Sequence, residues 1–76
     1  DYVFYIAGVD INFNDRLGKL KVTDEGIRQR DDIVTENFFS KEIPLCGVLG
    51  GGYNKDFNKL VELHASLHQS CAKLIV

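Results

Sequence analysis

Apolar and polar positions are grouped in blocks along this chain. Residues 2–9, Tyr2-Val3-Phe4-Tyr5-Ile6-Ala7-Gly8-Val9, carry no charge and are rich in aromatic and β-branched types. A short run of that kind predicts a strand buried on both faces, as in a parallel sheet. Ile43-Pro44-Leu45-Cys46-Gly47-Val48-Leu49 predicts a second buried strand, with Pro44 tolerated near its start. Between them, residues 10–22 mix polar, Gly and Asn residues and read as a long ordered loop, a feature that is often functional in a small unit. Thr23 is placed to cap a helix whose first turn holds Asp24 and Glu25, where the helix dipole favours acids. The helix runs to about Asn37, with Ile27, Val34 and Phe38 on one face and Ile33 beside them; Gly26 weakens its first turn slightly. Ser40-Lys41-Glu42 is a polar break.

After Gly50-Gly51-Gly52, Asn54 or Asp56 can cap a second helix in which Leu60, Leu63, Leu67, Cys71 and Leu74 recur at helical spacing. Val61, Ala65, Ala72 and Ile75 widen its apolar surface. The predicted order is strand, helix, strand, helix: an α/β unit with parallel strands and right-handed crossovers. Two strands do not make a stable sheet of this kind alone. Exposed strand edges therefore predict self-association of the isolated chain.

Composition sharpens this picture. The chain has 76 residues, 45% hydrophobic content and a net charge of -2, which is globular and not disordered. A unit this small buries only about 60% of its unfolded surface, so a disulfide or metal often supplements the core. The two cysteines, Cys46 and Cys71, fall in an apolar run and on a helical stripe, and are expected to be reduced, buried and inert. That suits an intracellular protein, cytoplasmic or nuclear. Lys19, Lys21, Arg28 and Arg30 are interspersed with Asp24, Glu25, Asp31 and Asp32, a solvated mixed-charge surface and not a nucleic-acid face. Neither a signal peptide nor an apolar run of membrane length occurs, and no membrane partner is expected. The absence of methionine, even at position 1, and the immediate start in an apolar run predict a piece of a longer protein.

Ligands of open parallel sheets bind outside the carboxyl ends of the strands. Asp10 ends the first predicted strand and Gly50-Gly51-Gly52-Tyr53 ends the second, so neighbouring strands would place both on one rim. An ionised Asp10 there must be paired, hydrogen-bonded or metal-bound. It could equally cap the following loop through the backbone. The glycines admit two readings. One is an anion site, but GxxxxGK[ST] is absent and GxGxxG fails because Lys55 stands at the third glycine position. The other is a narrow pocket approached closely by backbone, with the Tyr53 phenol aimed at a developing oxyanion; the plainer alternative is a tyrosine packed at a helix start. His64 and His68 share a helix face, but HExxH is absent, and they read as core or interface residues without a site role.

Taken together, Ala7-Gly8-Val9-Asp10, Asp15-Arg16-Leu17-Gly18, Thr23-x-x-Gly26 and Leu49-Gly50-Gly51-Gly52-Tyr53 resemble, in order and spacing, the histone deacetylase family, which includes acetoin-utilisation proteins and acetylpolyamine amidohydrolases. The resemblance covers essentially the whole chain. It implies the C-terminal portion, residues 1–76, of a three-layer α/β domain of the arginase/deacetylase type. It further implies a zinc-dependent hydrolase of acetyl-lysine or related acetyl-amine amides. By resemblance Asp10 is one of three zinc ligands, Tyr53 is the catalytic oxyanion donor, and Leu17, Gly51 and Gly52 line the substrate pocket. The implied partners are an acetylated protein, peptide or amine and the remainder of the same domain. The family's other two zinc ligands and its His-His pair have no counterpart in the chain, so the chain alone is expected to be inactive. Asn14 stands where many members carry glycine. A non-catalytic binding module that kept the fold is the alternative, and an anion- or nucleotide-binding half-domain a more distant one.

Overall fold

The computed structural model describes residues 2–54 and 56–74. Four elements follow in the order β1 (Val3–Ala7), α1 (Asp24–Ser40), β2 (Leu45–Leu49) and α2 (Phe57–Leu74). β1 and β2 pair in parallel, with Tyr5 opposite Gly47 and Ala7 opposite Leu49. The strand-helix-strand-helix order and the parallel pairing are those expected from the sequence. Ile75, placed on the helical stripe by its spacing, and Lys55 lie outside the described residues.

Each helix boundary has a local cause. The Thr23 hydroxyl accepts from the Gly26 N–H and starts α1, with Asp24 and Glu25 in the first turn. The end lies beyond the expected Asn37, at Ser40. There the Glu42 N–H donates to the Phe39 carbonyl and the Ile43 N–H to the Phe38 carbonyl, and Glu42 takes a φ of 57°. This double return bond with a left-handed residue is the Schellman ending, filled here by glutamate and not the usual glycine. Of the two caps expected for α2, Asp56 serves directly: its Oδ1 accepts from the Lys59 N–H at 3.2 Å. Asn54 acts one step earlier, its Oδ1 accepting from the Asp56 N–H at 3.0 Å.

Both helices lie on one face of the sheet. Parallel partners point to the same side, so the Tyr5–Gly47 row faces a single layer. The Tyr5 hydroxyl donates to Asp31 of α1. A Cβ on Gly47 would come within 2.9 Å of Leu67 of α2, so the missing side chain lets that helix settle onto the strand. Val9, Ile27 and Leu63 form the buried apolar centre, with Ile11, Val22 and Leu60 packed against it.

Four expectations need correction. β1 and β2 are not buried on both faces as expected: Phe4 and Ile6 of β1 and Cys46 and Val48 of β2 are exposed, as is Tyr2 just before β1, because no described element covers the side opposite the helices. The described residues thus supply a sheet and one helical layer. Cys46 and Cys71 are free thiols, as expected, but exposed. Cys46 pairs with Phe4 on the uncovered face, and Cys71 falls outside the buried stripe of α2. That stripe runs through Leu63, Ser66, Leu67 and Ser70, and Val61 is exposed. In α1 the buried positions are Ile27, Asp31 and Thr35, while Ile33 points outward. Thr35 is accommodated by donating its hydroxyl to the Asp31 carbonyl, and Ser70 by donating to Asp32.

Candidate functional site

The carboxyl ends of β1 and β2 carry the two segments singled out by the sequence, and the pairing continues past the strands. The Val9 N–H donates to the Gly51 carbonyl at 2.8 Å, which fixes the chain entering Asp10 beside the glycine run. The Asp10 side chain is exposed and lies against Gly8 and Gly51: a Cβ on Gly8 would be 3.1 Å from its Oδ1, and one on Gly51 3.8 Å from its Cγ. No described residue hydrogen-bonds to this carboxylate. The loop-capping alternative for Asp10 therefore has no support in the geometry; Asp15 has that role.

The glycines differ in function. None has a positive φ, and α2 begins only at Phe57, so the run is not itself the amino end of a helix. Gly52 is enclosed from beneath, where a Cβ would meet Val9 Cγ2 at 2.6 Å and Leu60 Cδ1 at 3.0 Å. His64 closes the same side, its Nε2 at 3.3 Å from that position, in keeping with a packing histidine. Gly51 instead presents ordinary contact distances toward Asp10. Tyr53 follows, 52% exposed, and Leu17 is 67% exposed. Neither is packed into the core, which leaves both side chains free to meet something else at the rim.

The 10–22 loop is ordered by its own backbone. Phe13 N–H donates to the Val22 carbonyl and Val22 N–H to the Ile11 carbonyl, closing the loop at its base. Buried Asn12 ties it down further. Its amide donates to Asp24 Oδ1 at 2.8 Å, and its Oδ1 accepts from the Asn14 N–H and from Asn54 Nδ2, both at 3.1 Å. Asn14 donates to Asn54 Oδ1 at 3.1 Å and so links the loop to the segment after Tyr53. Asp24 is held below the usual carboxylate range, first by its bond to Lys59 and then by Asn12, against the opposing effect of burial.

Asp15 is the hub of this arrangement, a role its sequence motif alone does not reveal. Its Oδ1 accepts from the N–H groups of Leu17 and Gly18 at 2.9 and 2.8 Å, and its Oδ2 from the N–H of Tyr53. The Arg16 N–H returns a bond to the Tyr53 carbonyl at 3.0 Å, and Asp15 and Asn54 form an antiparallel bridge. Burial pushes the Asp15 pKa up, but the three backbone donors outweigh it and hold it below the ordinary value. The available signal was an aspartate two and three residues before Leu-Gly, an Asx-type turn pattern. Gly18 completes the turn against the rim: a Cβ there would lie 1.7 Å from the Asp10 carbonyl oxygen.

A second unanticipated cluster lies behind the rim. Asp31 is fully buried and accepts from Tyr5 and from Arg30, while Arg30 Nη1 donates to the Gly8 carbonyl at 2.6 Å. Burial, and then the bond to Asp31, raise the Tyr5 pKa well above its ordinary value.

Chemically, the rim offers one unengaged carboxylate, one half-exposed phenol and a thin glycine wall. Among the described residues no three His, Cys, Asp or Glu side chains are grouped to hold a metal ion. Asp10 suits a single ligand position, so a metal here requires donors from elsewhere.

The described residues form an α/β unit with parallel strands whose carboxyl ends carry Asp10 and the glycine run leading to Tyr53. Residues 1–69 match the model of the histone deacetylase domain, and the chain belongs to the histone deacetylase family. It is 43% identical over 70 residues to an uncharacterized protein of Picosynechococcus sp., covering 92% of this chain and 23% of that protein. It is 39% identical over 61 residues to histone deacetylase 2 of Arabidopsis thaliana, covering 80% of this chain and 16% of that protein. The chain thus spans about a fifth of the length of these curated relatives.

Proposed function

We propose that this chain is the part of a zinc-dependent deacetylase that supplies one metal ligand, Asp10, and the oxyanion-stabilising phenol, Tyr53. The reading rests on one observation: the Val9–Gly51 hydrogen bond sets the unengaged Asp10 carboxylate beside the glycine wall that leads into Tyr53. Family membership adds the reaction class, hydrolysis of an acetyl-amine amide. When bound, zinc supplies Lewis-acid polarisation of the amide carbonyl and of the attacking water.

This chain's own residues have defined tasks in that reaction. Asp10 contributes negative charge and one donor oxygen. Tyr53 donates a hydrogen bond to the substrate carbonyl oxygen, and that bond strengthens as negative charge builds there, so it acts mainly on turnover. Gly51 keeps the wall beside Asp10 thin, Gly52 lets that wall sit on Val9 and Leu60, and Leu17 lines the apolar approach for an alkyl-amide chain. The remaining metal ligands and the general base come from the rest of the domain, which also covers the open face of β1. The substrate is an acetylated protein, peptide or amine.

The test uses the full-length protein that carries this segment, assayed on an acetyl-lysine peptide. Tyr53→Phe should lower kcat about 10²-fold or more with metal content unchanged, as for removal of an oxyanion donor. Asp10→Ala should lower bound zinc. A full-length protein without turnover that still binds the acetyl-lysine peptide would instead identify a non-catalytic binding module.

A further inference from the structure

We propose that Asp15 is a positioning residue that sets the spacing between Tyr53 and Leu17; the proposal rests on the reading of Tyr53 as the oxyanion donor. The two oxygens of this one carboxylate divide the task. Oδ2 takes the backbone N–H of Tyr53, and Oδ1 takes those of Leu17 and Gly18. The Arg16–Tyr53 backbone bond and the Asp15–Asn54 bridge close the same junction, so Tyr53 cannot shift along the rim without breaking contacts to the 10–22 loop. Each bond ends on backbone, which leaves the Leu17 and Tyr53 side chains exposed. Asp15 itself is only 8% exposed and both its oxygens are taken by backbone N–H groups, so its influence passes through the residues it holds.

The carboxylate is specifically required. All three partners are N–H donors, and they need acceptors on both oxygens. An asparagine offers one acceptor, and its NH₂ would oppose an N–H at the other position. A buried donor left without a partner is costly, so the junction should relax by moving the Tyr53 segment. A displacement of about 1 Å at a reacting group can lower the rate by 10²-fold.

The experiment is a double-mutant cycle in the full-length protein with zinc bound, using Asp15→Asn, Tyr53→Phe and the pair. Asp15→Asn is expected to lower kcat about 10²-fold with bound zinc unchanged, and to speed amide hydrogen exchange across residues 51–54. In the Tyr53→Phe background the same change should cost little more, because groups acting as a unit are non-additive. An equal loss in both backgrounds overturns the proposal and makes Asp15 a general structural residue. If Tyr53→Phe alone has no effect, the oxyanion reading itself fails. Should Asp15→Asn fold poorly, Asp15→Glu keeps the charge and both acceptors while moving them by one methylene. The same non-additivity is expected of it, and additivity overturns the proposal equally.

Discussion

The Tyr53 N–H donates to the Asp15 carboxylate across 38 positions of chain, and the Tyr53 carbonyl accepts from the neighbouring Arg16 N–H. The segment before Tyr53 is bound to the other flank of the same loop, through Gly51 to Val9. The glycine run is thus gripped at both ends by the first half of the molecule. A turn with so little side chain gains its order from these bonds and not from its own packing.

Alanine at Gly18 should be far more damaging than alanine at Gly51. The Cβ at Gly18 would stand 1.7 Å from the Asp10 carbonyl oxygen, a backbone atom that moves only if the rim moves. A loss of about 3 kcal/mol is expected, the upper end of ordinary overpacking, measured by denaturant unfolding. The Cβ at Gly51 meets Asp10 at 3.8 Å, an ordinary contact, so stability should change by less than about 0.5 kcal/mol. Its expected effect is on the full-length enzyme, where a methyl group beside Asp10 should reduce kcat/KM by about tenfold.

Acid should destabilise the fold through Asp15, Asp24 and Asp32. The Ser70 hydroxyl, and then Lys73, hold Asp32 low against the effect of burial, while the backbone donors and Lys59 do so for the other two. A carboxylate with a depressed folded pKa binds fewer protons when folded than when unfolded. Its contribution is therefore present above the unfolded value of about 3.9 and is lost as pH falls through the folded pKa. Unfolding midpoints measured from pH 7 to pH 2 should fall below about pH 4, and less steeply in Asp15→Asn.

Alkali should act through Tyr5. Burial and the bond to Asp31 favour the neutral phenol in the folded state, so the folded pKa lies above the unfolded one. That contribution is complete below about pH 10 and declines as pH rises toward the folded pKa. Tyr5→Phe should remove this alkaline dependence. It should also cost about 1–3 kcal/mol at neutral pH, because buried Asp31 loses a donor and already has one unpaired oxygen. Equal alkaline slopes for the two proteins would show that another group is responsible.

Glu42→Gly should stabilise the protein. Glu42 has a φ of 57°, and a left-handed non-glycine residue costs about 1–2 kcal/mol. Glycine is free of that strain at this helix ending but loses more entropy on folding, so a net gain of about 0.5–1 kcal/mol is expected in thermal or denaturant unfolding.

Glu42 also shows where the sequence was legible and where it was not. Ser40-Lys41-Glu42 reads as a break from composition alone, yet the Schellman bonds that make it one depend on φ and ψ that glutamate does not advertise. The sequence by itself determined the element order, the Thr23 cap, the narrowing of the second cap to Asn54 or Asp56, the ordered 10–22 loop and the meeting of Asp10 with the glycine run. These follow from local periodicity, capping chemistry and the rule that parallel strands share one carboxyl edge. It also carried the family, through motifs with fixed order. Tertiary structure alone decided that β1 is covered on one side, that Cys46 and Cys71 are exposed, and that Asp31, Thr35 and Ser70 take buried positions an apolar pattern would not assign them. It alone made Asp15 the hub, because it joins its own turn at Leu17 and Gly18 to Tyr53, 38 positions further along the chain. A carboxylate finds three backbone donors at once only when packing has brought those two segments within hydrogen-bond reach, and no periodicity in sequence encodes that distance.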